Sequence, residues 1–163
     1  MGGAISTRLA YVPIYADGTA LSRSFHATDF NRPWRAWFAG NESDLAVSRV
    51  THLEARRFAS PLSLDGRLAA YDLLASLHTV RISEQVIWSA IQVLELVDSF
   101  RALHYGLVLR TPGIEALATY DPFLASLVSA TGREIISPGQ DPEWWVEELA
   151  QRRRSRVALA PTG

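Results

Sequence analysis

Three acids in this chain follow apolar runs at places where an α/β sheet would gather them. Asp17 ends Ala10-Tyr11-Val12-Pro13-Ile14-Tyr15-Ala16. Asp121 ends Ala116-Leu117-Ala118-Thr119-Tyr120. Glu54 lies about one turn into the helix expected after Leu45-Ala46-Val47-Ser48. In open parallel sheets, functional groups collect at the carboxyl ends of the strands, so all three are expected on one edge. Carboxylates gathered there repel one another unless a cation intervenes. Magnesium or manganese is the natural cation, a hard ion that takes oxygen ligands and keeps several waters. Such a centre activates water for in-line attack on a phosphodiester. Each acid taken alone reads equally as a turn or surface group.

The elements that must position these acids alternate between strand and helix, the pattern of an α/β domain with a mainly parallel sheet. Strands are expected near Ile14–Ala16, Leu45–Ser48, His78–Ile82, Ile114–Thr119 and Glu134–Ser137. Pro13 lacks the N–H of a two-sided ladder, so the first strand must be short or enter the sheet there. Helices are expected from Gly18-Thr19, from Arg32-Pro33-Trp34 with Asn31 as cap, over Thr51–Phe58, and from Ser63 to Leu77. Others should run from Ser83-Glu84 through Leu96, from Asp98-Ser99 through Arg110, and from Pro122 to Thr131. The two long central helices carry apolar stripes at Leu64, Leu68, Tyr71, Leu74 and Ala75, and at Val86, Ile87, Ala90 and Leu94. Asp141-Pro142-Glu143 reads as the start of a last helix reaching about Arg153: a cap, a proline in the first turn, then an acid near the positive end. The tail from Arg154 is expected to fray.

The whole chain narrows the chemistry. Its 163 residues fit one domain with one sizeable core. The absence of cysteine excludes disulfides, thiolate metal sites and cysteine nucleophiles. All sixteen basic residues are arginine, so no mechanism that needs a catalytic lysine is available. No apolar run is long enough to span a membrane, and residues 1–7 do not form a secretory leader, so a cytoplasmic protein is expected. No histidine pair has the spacing of a zinc site on a helix.

In order and spacing the acid blocks resemble the PIN-domain family, in particular ribonucleases of the VapC toxin type. Ile14-Tyr15-Ala16-Asp17-Gly18-Thr19-Ala20-Leu21 resembles the family's opening strand, acid, Ser or Thr and apolar helix. Val47-Ser48-Arg49-Val50-Thr51-His52-Leu53-Glu54 resembles the second block. Phe100-Arg101-Ala102-Leu103-His104-Tyr105-Gly106 resembles the third, Leu117 to Leu124 the fourth, and Glu134 to Gly139 the closing strand. The likeness covers about residues 9–139. It implies a three-layer domain with a central, mainly parallel sheet of about five strands flanked by helices. An N-terminal segment, 1–8, would be flexible, and 140–163 would form a C-terminal helix and basic tail.

The resemblance further implies a magnesium-dependent endoribonuclease, the toxin of a toxin–antitoxin pair. Asp17, Glu54 and Asp121 would be its catalytic and metal-holding acids, supported by Thr19 and Thr119. Such toxins are homodimers wrapped by an antitoxin's C-terminal segment. The departure is Arg101, where the family has a metal-ligating aspartate. The exchange removes one negative charge and adds a positive one, which weakens a magnesium site. Asp98, one turn earlier on the same helix face, is either a substitute ligand or only the helix cap. Arg101 would otherwise bind the scissile phosphate, or pair with Asp17 or Asp121 and make a metal-free pocket. The second expectation is therefore a catalytically silent fold that binds RNA or a protein, with Arg101 in the metal's place.

Asp17-Gly18-Thr19 also suits a haloacid-dehalogenase phosphatase or a receiver domain. Tyr15 at the nucleophile position argues against the first, and the missing lysine against both. Arg56 and Arg57, beside Glu54, are placed to meet RNA phosphate. Arg152-Arg153-Arg154 with Arg156 reads as a phosphate contact or as a solvated helix end. His104 is expected to be structural. Trp34 and Trp37, with Phe30 and Phe38, form one aromatic patch, and Trp144, Trp145 and Leu149 another. Each is either core or a partner surface.

Overall fold

The structure, a computed structural model, describes residues 13–158. The expected flexible segment 1–8, positions 9–12 and the end of the tail, 159–163, lie outside the described residues. Five short strands, β1 (Ile14–Ala16), β2 (Leu45–Val47), β3 (His78–Thr79), β4 (Ala116–Ala118) and β5 (Glu134–Ile136), form one sheet in the order β3-β2-β1-β4-β5. Every pairing is parallel. Pro13 is the point of entry: its carbonyl accepts from Glu115 N at 2.8 Å and Ala116 N at 3.1 Å, and its missing N–H falls before the ladder begins.

Alternation along the strands makes three layers. Tyr15, Ala46 and Leu117 point to one face, while Ile14, Ala16, Leu45, Val47, Ala116 and Ala118 point to the other. Eight helices are described: α1 (Gly18–Leu21), α2 (Arg32–Asn41), α3 (Arg49–Ala59), α4 (Leu64–Ser76), α5 (Glu84–Ile91), α6 (Ser99–Arg110), α7 (Pro122–Ser129) and α8 (Trp144–Ala158). Val86 of α5, Leu107 and Val108 of α6, and Leu124 and Val128 of α7 cover the Tyr15 face. Leu21 of α1, Trp34 of α2 and Leu74 of α4 cover the other. The expected three-layer α/β architecture with a parallel sheet is thus present. None of the described helices is long and apolar enough to cross a membrane.

Several local expectations need correction. Asn31 does not cap α2; its backbone is already helical, and its side-chain amide donates to the His26 carbonyl at 3.2 Å. β3 stops at Thr79, since beyond the Val80 N–H to Val47 bond no ladder continues. α5 ends at Ile91 and gives way to turns before Asp98. Its buried residues are Val86, Ser89 and Ala90, with Val93 buried in the turns that follow, while Ile87 and Leu94 are left in solvent. The reason is α6: a Cβ on Gly106 would stand 2.4 Å from the Val86 carbonyl, so glycine lets α6 seat against the Val86–Ala90 stripe. On α4 the buried residues are Ala70 and Leu74, while Leu64 and Leu68 are exposed. Asp141-Pro142-Glu143 forms a turn rather than a first helical turn. Glu143 has φ 57°, outside helical space, so α8 starts at Trp144; it then runs past Arg153 to Ala158.

Candidate functional site

The strand order reverses between β1 and β4, which makes their carboxyl ends the crevice of the sheet. Asp17 follows β1 and its N–H donates to the Ala118 carbonyl of β4 at 3.2 Å. Asp17 is fully buried and caps α1. Its Oδ1 accepts from Thr19 Oγ1 at 2.7 Å and Ala20 N at 3.0 Å; its Oδ2 accepts from Thr119 Oγ1 at 2.5 Å. Thr119 Oγ1 also accepts from Asp121 N at 3.0 Å, and Thr19 Oγ1 from Tyr120 N at 2.9 Å. Two threonines therefore lock the ends of β1 and β4 together.

Glu54 reaches the same edge from α3. Its Oε2 accepts from Gly18 N at 2.8 Å and His104 Nε2 at 2.7 Å. A Cβ on Gly18 would stand 2.3 Å from the Glu54 Cβ, so α1 and α3 approach closely only because position 18 is glycine. His104 is buried on α6, and its Nδ1 lies 2.7 Å from Tyr15 Oη. The proton positions follow from counting. Ser48 Oγ accepts from Val50 N and Thr51 N, so its own proton goes to Tyr15 Oη at 2.7 Å. Thr51 Oγ1 donates to the Ala16 carbonyl. Tyr15 Oη also lies 3.1 Å from Thr51 Oγ1, and the His104 ring bridges Tyr15 Oη and Glu54 Oε2. The result is a continuous chain of hydrogen bonds from Ser48 to the Glu54 carboxylate.

The other half of the edge is ionic. Asp121 Oδ1 caps α7, accepting from Phe123 N at 2.9 Å and Leu124 N at 3.3 Å. Its Oδ2 accepts from Arg101 Nε at 2.6 Å. Arg101 Nη1 also donates to Asp98 Oδ2 at 2.5 Å, and Asp98 Oδ1 caps α6. One guanidinium thus bridges two carboxylates.

The titration of these groups reflects the division. Burial pushes the Asp17 carboxyl up to about 6, with His104 opposing most, the Glu54 charge adding and the two threonine hydroxyls opposing as well. Burial also works to raise Glu54, but the bonds from His104 and Gly18 outweigh it and hold Glu54 below the usual carboxylate range. Asp98 is likewise held low, because its partial burial is outweighed by Arg101 and by the cap bonds. Burial raises the Tyr15 phenol strongly, so it stays protonated.

The acids share one edge but are occupied by protein donors. Among the described residues, no three of His, Cys, Asp or Glu form a group that could hold a metal ion. The oxygens of Asp17 and Asp121 are each engaged, and the guanidinium of Arg101 lies between Asp98 and Asp121. As the side chains stand, this donor set does not fit a magnesium or manganese ion. Arg56 and Arg57 have no carboxylate partner among the described residues. Arg57 lies 6.0 Å from the ring centroid of Phe100, next to Arg101; Arg101 and Arg152 lie 5.0 Å and 5.6 Å from that of Phe123.

Two features escaped the sequence. His104 joins the acid edge through Tyr15 and Glu54, contacts separated by 89 and 50 positions that no local pattern shows. The exposed apolar residues are not the expected tryptophans. Trp34 is core, donating to Ser24 Oγ at 2.7 Å, and Trp37 packs against it. Trp88, Ile87, Ile91, Leu94 and Leu96, from α5 and the turns after it, are among the large apolar residues left in solvent.

No family model matches the chain, and no curated protein does. Among solved structures it is similar to the crystal structure of PAE2754 from Pyrobaculum aerophilum. The TM-score is 0.55 at 18% identity, covering 89% of this chain and 97% of that one. At that identity the likeness concerns the fold alone.

Proposed function

We propose that this chain is an RNA-binding domain in which Arg101 takes the cation's place at the outer half of the acid edge, so that it holds RNA without magnesium-dependent cleavage. The observation that carries this reading is the double ion pair of Arg101 with Asp98 and Asp121. Arg101 stands where the family resemblance expects a metal-ligating aspartate, and it supplies the positive charge a metal would. RNA as the ligand is supported by Arg56 and Arg57, without a carboxylate partner among the described residues and on the helix that carries Glu54, and by the guanidiniums around Phe100 and Phe123. Guanidinium forks bind phosphate oxygens in pairs.

A second reading, the magnesium-dependent endoribonuclease, is favoured by one observation. Asp17 and Glu54 are buried together without a guanidinium of their own, and Asp17 resists ionisation for that reason. The partners implied by the resemblance, a second copy and an antitoxin segment, would be served by the apolar strip around Trp88 and Ile91.

The deciding experiment measures RNA binding and cleavage by the purified protein with and without magnesium, beside Arg101→Asp and Asp17→Ala. Binding without cutting is the expected result for the native chain, with cutting gained on Arg101→Asp. Metal-dependent cutting by the native chain that Asp17→Ala abolishes would overturn the silent reading in favour of the nuclease.

A further inference from the structure

A cleft of about 400 Å³ adjoins the acid edge on the side of α1, lined by Thr19, Arg23, His26, Phe30, Phe58 and Tyr120 among others. Its floor is continuous with the edge: Thr19 is the donor to Asp17, and Tyr120 directly precedes Asp121. One wall is rigid. Tyr120 Oη donates to the Pro138 carbonyl at 2.7 Å, and the ring is backed edge-on by the buried Trp34. The Arg23 guanidinium lies on that wall, 3.5 Å from the Tyr120 ring centroid, and 4.4 Å from the Phe30 centroid on its other side. The other side is open. Phe30 is 70% exposed and Phe58 43%.

Arg23 covers one face of Phe30, yet most of that ring stays in water. An aromatic ring left in water forgoes the burial that normally places it. Arg23 is a partly buried cation with no carboxylate partner among the described residues. Planar rings with a free face, beside an unpaired guanidinium, offer a π surface and an anion site together. That combination matches a nucleobase and its phosphate. In a duplex the base faces are hidden by stacking, so only an unpaired base can present one.

We propose that this cleft seats one unpaired base of a single-stranded RNA, stacked on Phe30 and bordered by Phe58, with Arg23 bonding the adjoining phosphate. The proposal rests on the RNA-binding reading above and adds to it the strand preference and the residues that set it.

The test is fluorescence anisotropy with a short labelled oligoribonucleotide, single-stranded or annealed to its complement, in EDTA so that cleavage plays no part. The native chain is expected to prefer the single strand. Phe30→Ala should weaken single-strand binding roughly tenfold and leave the salt dependence unchanged, since stacking releases no counterions. Phe30→Tyr should restore it. Arg23→Gln should weaken binding and lower the slope of log affinity against log salt by about one phosphate contact. Phe30 is exposed, so its replacement spares the core, and a thermal melt checks that. Equal single-strand affinity for the native chain and Phe30→Ala overturns the cleft while leaving the RNA-binding reading in place. Equal loss on single strand and duplex also overturns it. Absence of any RNA binding by the native chain overturns both.

Discussion

The two halves of the acid edge handle negative charge by opposite means. In the buried half, Asp17 and Glu54 accept bonds from backbone N–H groups, hydroxyls and an imidazole. Their lone pairs are served, but no guanidinium reaches them among the described residues. In the outer half, Asp121 and Asp98 share the guanidinium of Arg101, which offsets one of their two charges. Hydrogen bonding and charge compensation are separate requirements of a buried acid, and only the outer half has a guanidinium that serves both. The buried half is therefore both the more rigid part of the edge and the part where a change of charge has the larger effect.

Breaking the buried chain should produce the largest effect. His104→Ala removes one hydrogen-bond partner from Tyr15 and one from Glu54 and opens a void between α6 and the sheet. A loss of about 3–4 kcal/mol is expected from these terms together. Urea unfolding with an unchanged m-value checks it. A loss under about 1 kcal/mol would show that the chain is incidental and that the halves do not differ in rigidity.

Asp17→Asn tests the buried charge itself. The folded-state value of about 6 lies above the ordinary 3.8, so the folded protein binds this proton more tightly than the unfolded chain. The associated stability is fully present below about pH 4 and is lost as pH rises through 6. The amide never ionises. Its stability relative to the native protein should therefore climb by about 2 kcal/mol between pH 4 and 7. Melting temperatures across that range report it, and a flat difference would mean that Asp17 is compensated after all.

What the sequence showed and what it hid divide along similar lines. The strand ends at Asp17 and Asp121 and the helix cap at Asp98 were legible, because a short polar side chain after an apolar run acts on its own next residues. The Tyr15–His104–Glu54 chain was not, since it is assembled from three elements by the sheet topology. The stripes of α4 and α5 were misjudged for a related reason. Periodicity finds an apolar face, but a packing partner decides which one is buried, and Gly106 placed α6 over Val86 and Ala90. Asn31 and Glu143 show a limit of cap patterns: residue types suited to a helix start were used in turns.

In the outer half, Arg101→Asp should cost about 1–2 kcal/mol at low salt, because Asp98 and Asp121 lose their cation and face a third carboxylate. Magnesium should raise the melting temperature of this variant and not that of the native chain. An equal response in both would remove the idea that Arg101 takes the cation's place.

The smallest effect should come from Asp98→Ala, and it bears most directly on how the halves compare. Asp98 caps α6 and pairs with Arg101, but half of its side chain is in water. Solvent screening leaves the ion pair worth little, so most of the expected loss of about 1 kcal/mol is the cap. Adding salt should change that loss only slightly. Because Asp98 is held below the usual carboxylate range, its contribution is present above about pH 4 and fades as the carboxylate is protonated in acid, the reverse of Asp17. Melting curves of the native and variant proteins at neutral and acid pH should therefore converge as pH falls. A loss well above 2 kcal/mol at neutral pH would mean that the ion pair secures α6 as firmly as His104 does, and the distinction between a rigid inner and a replaceable outer half would fail.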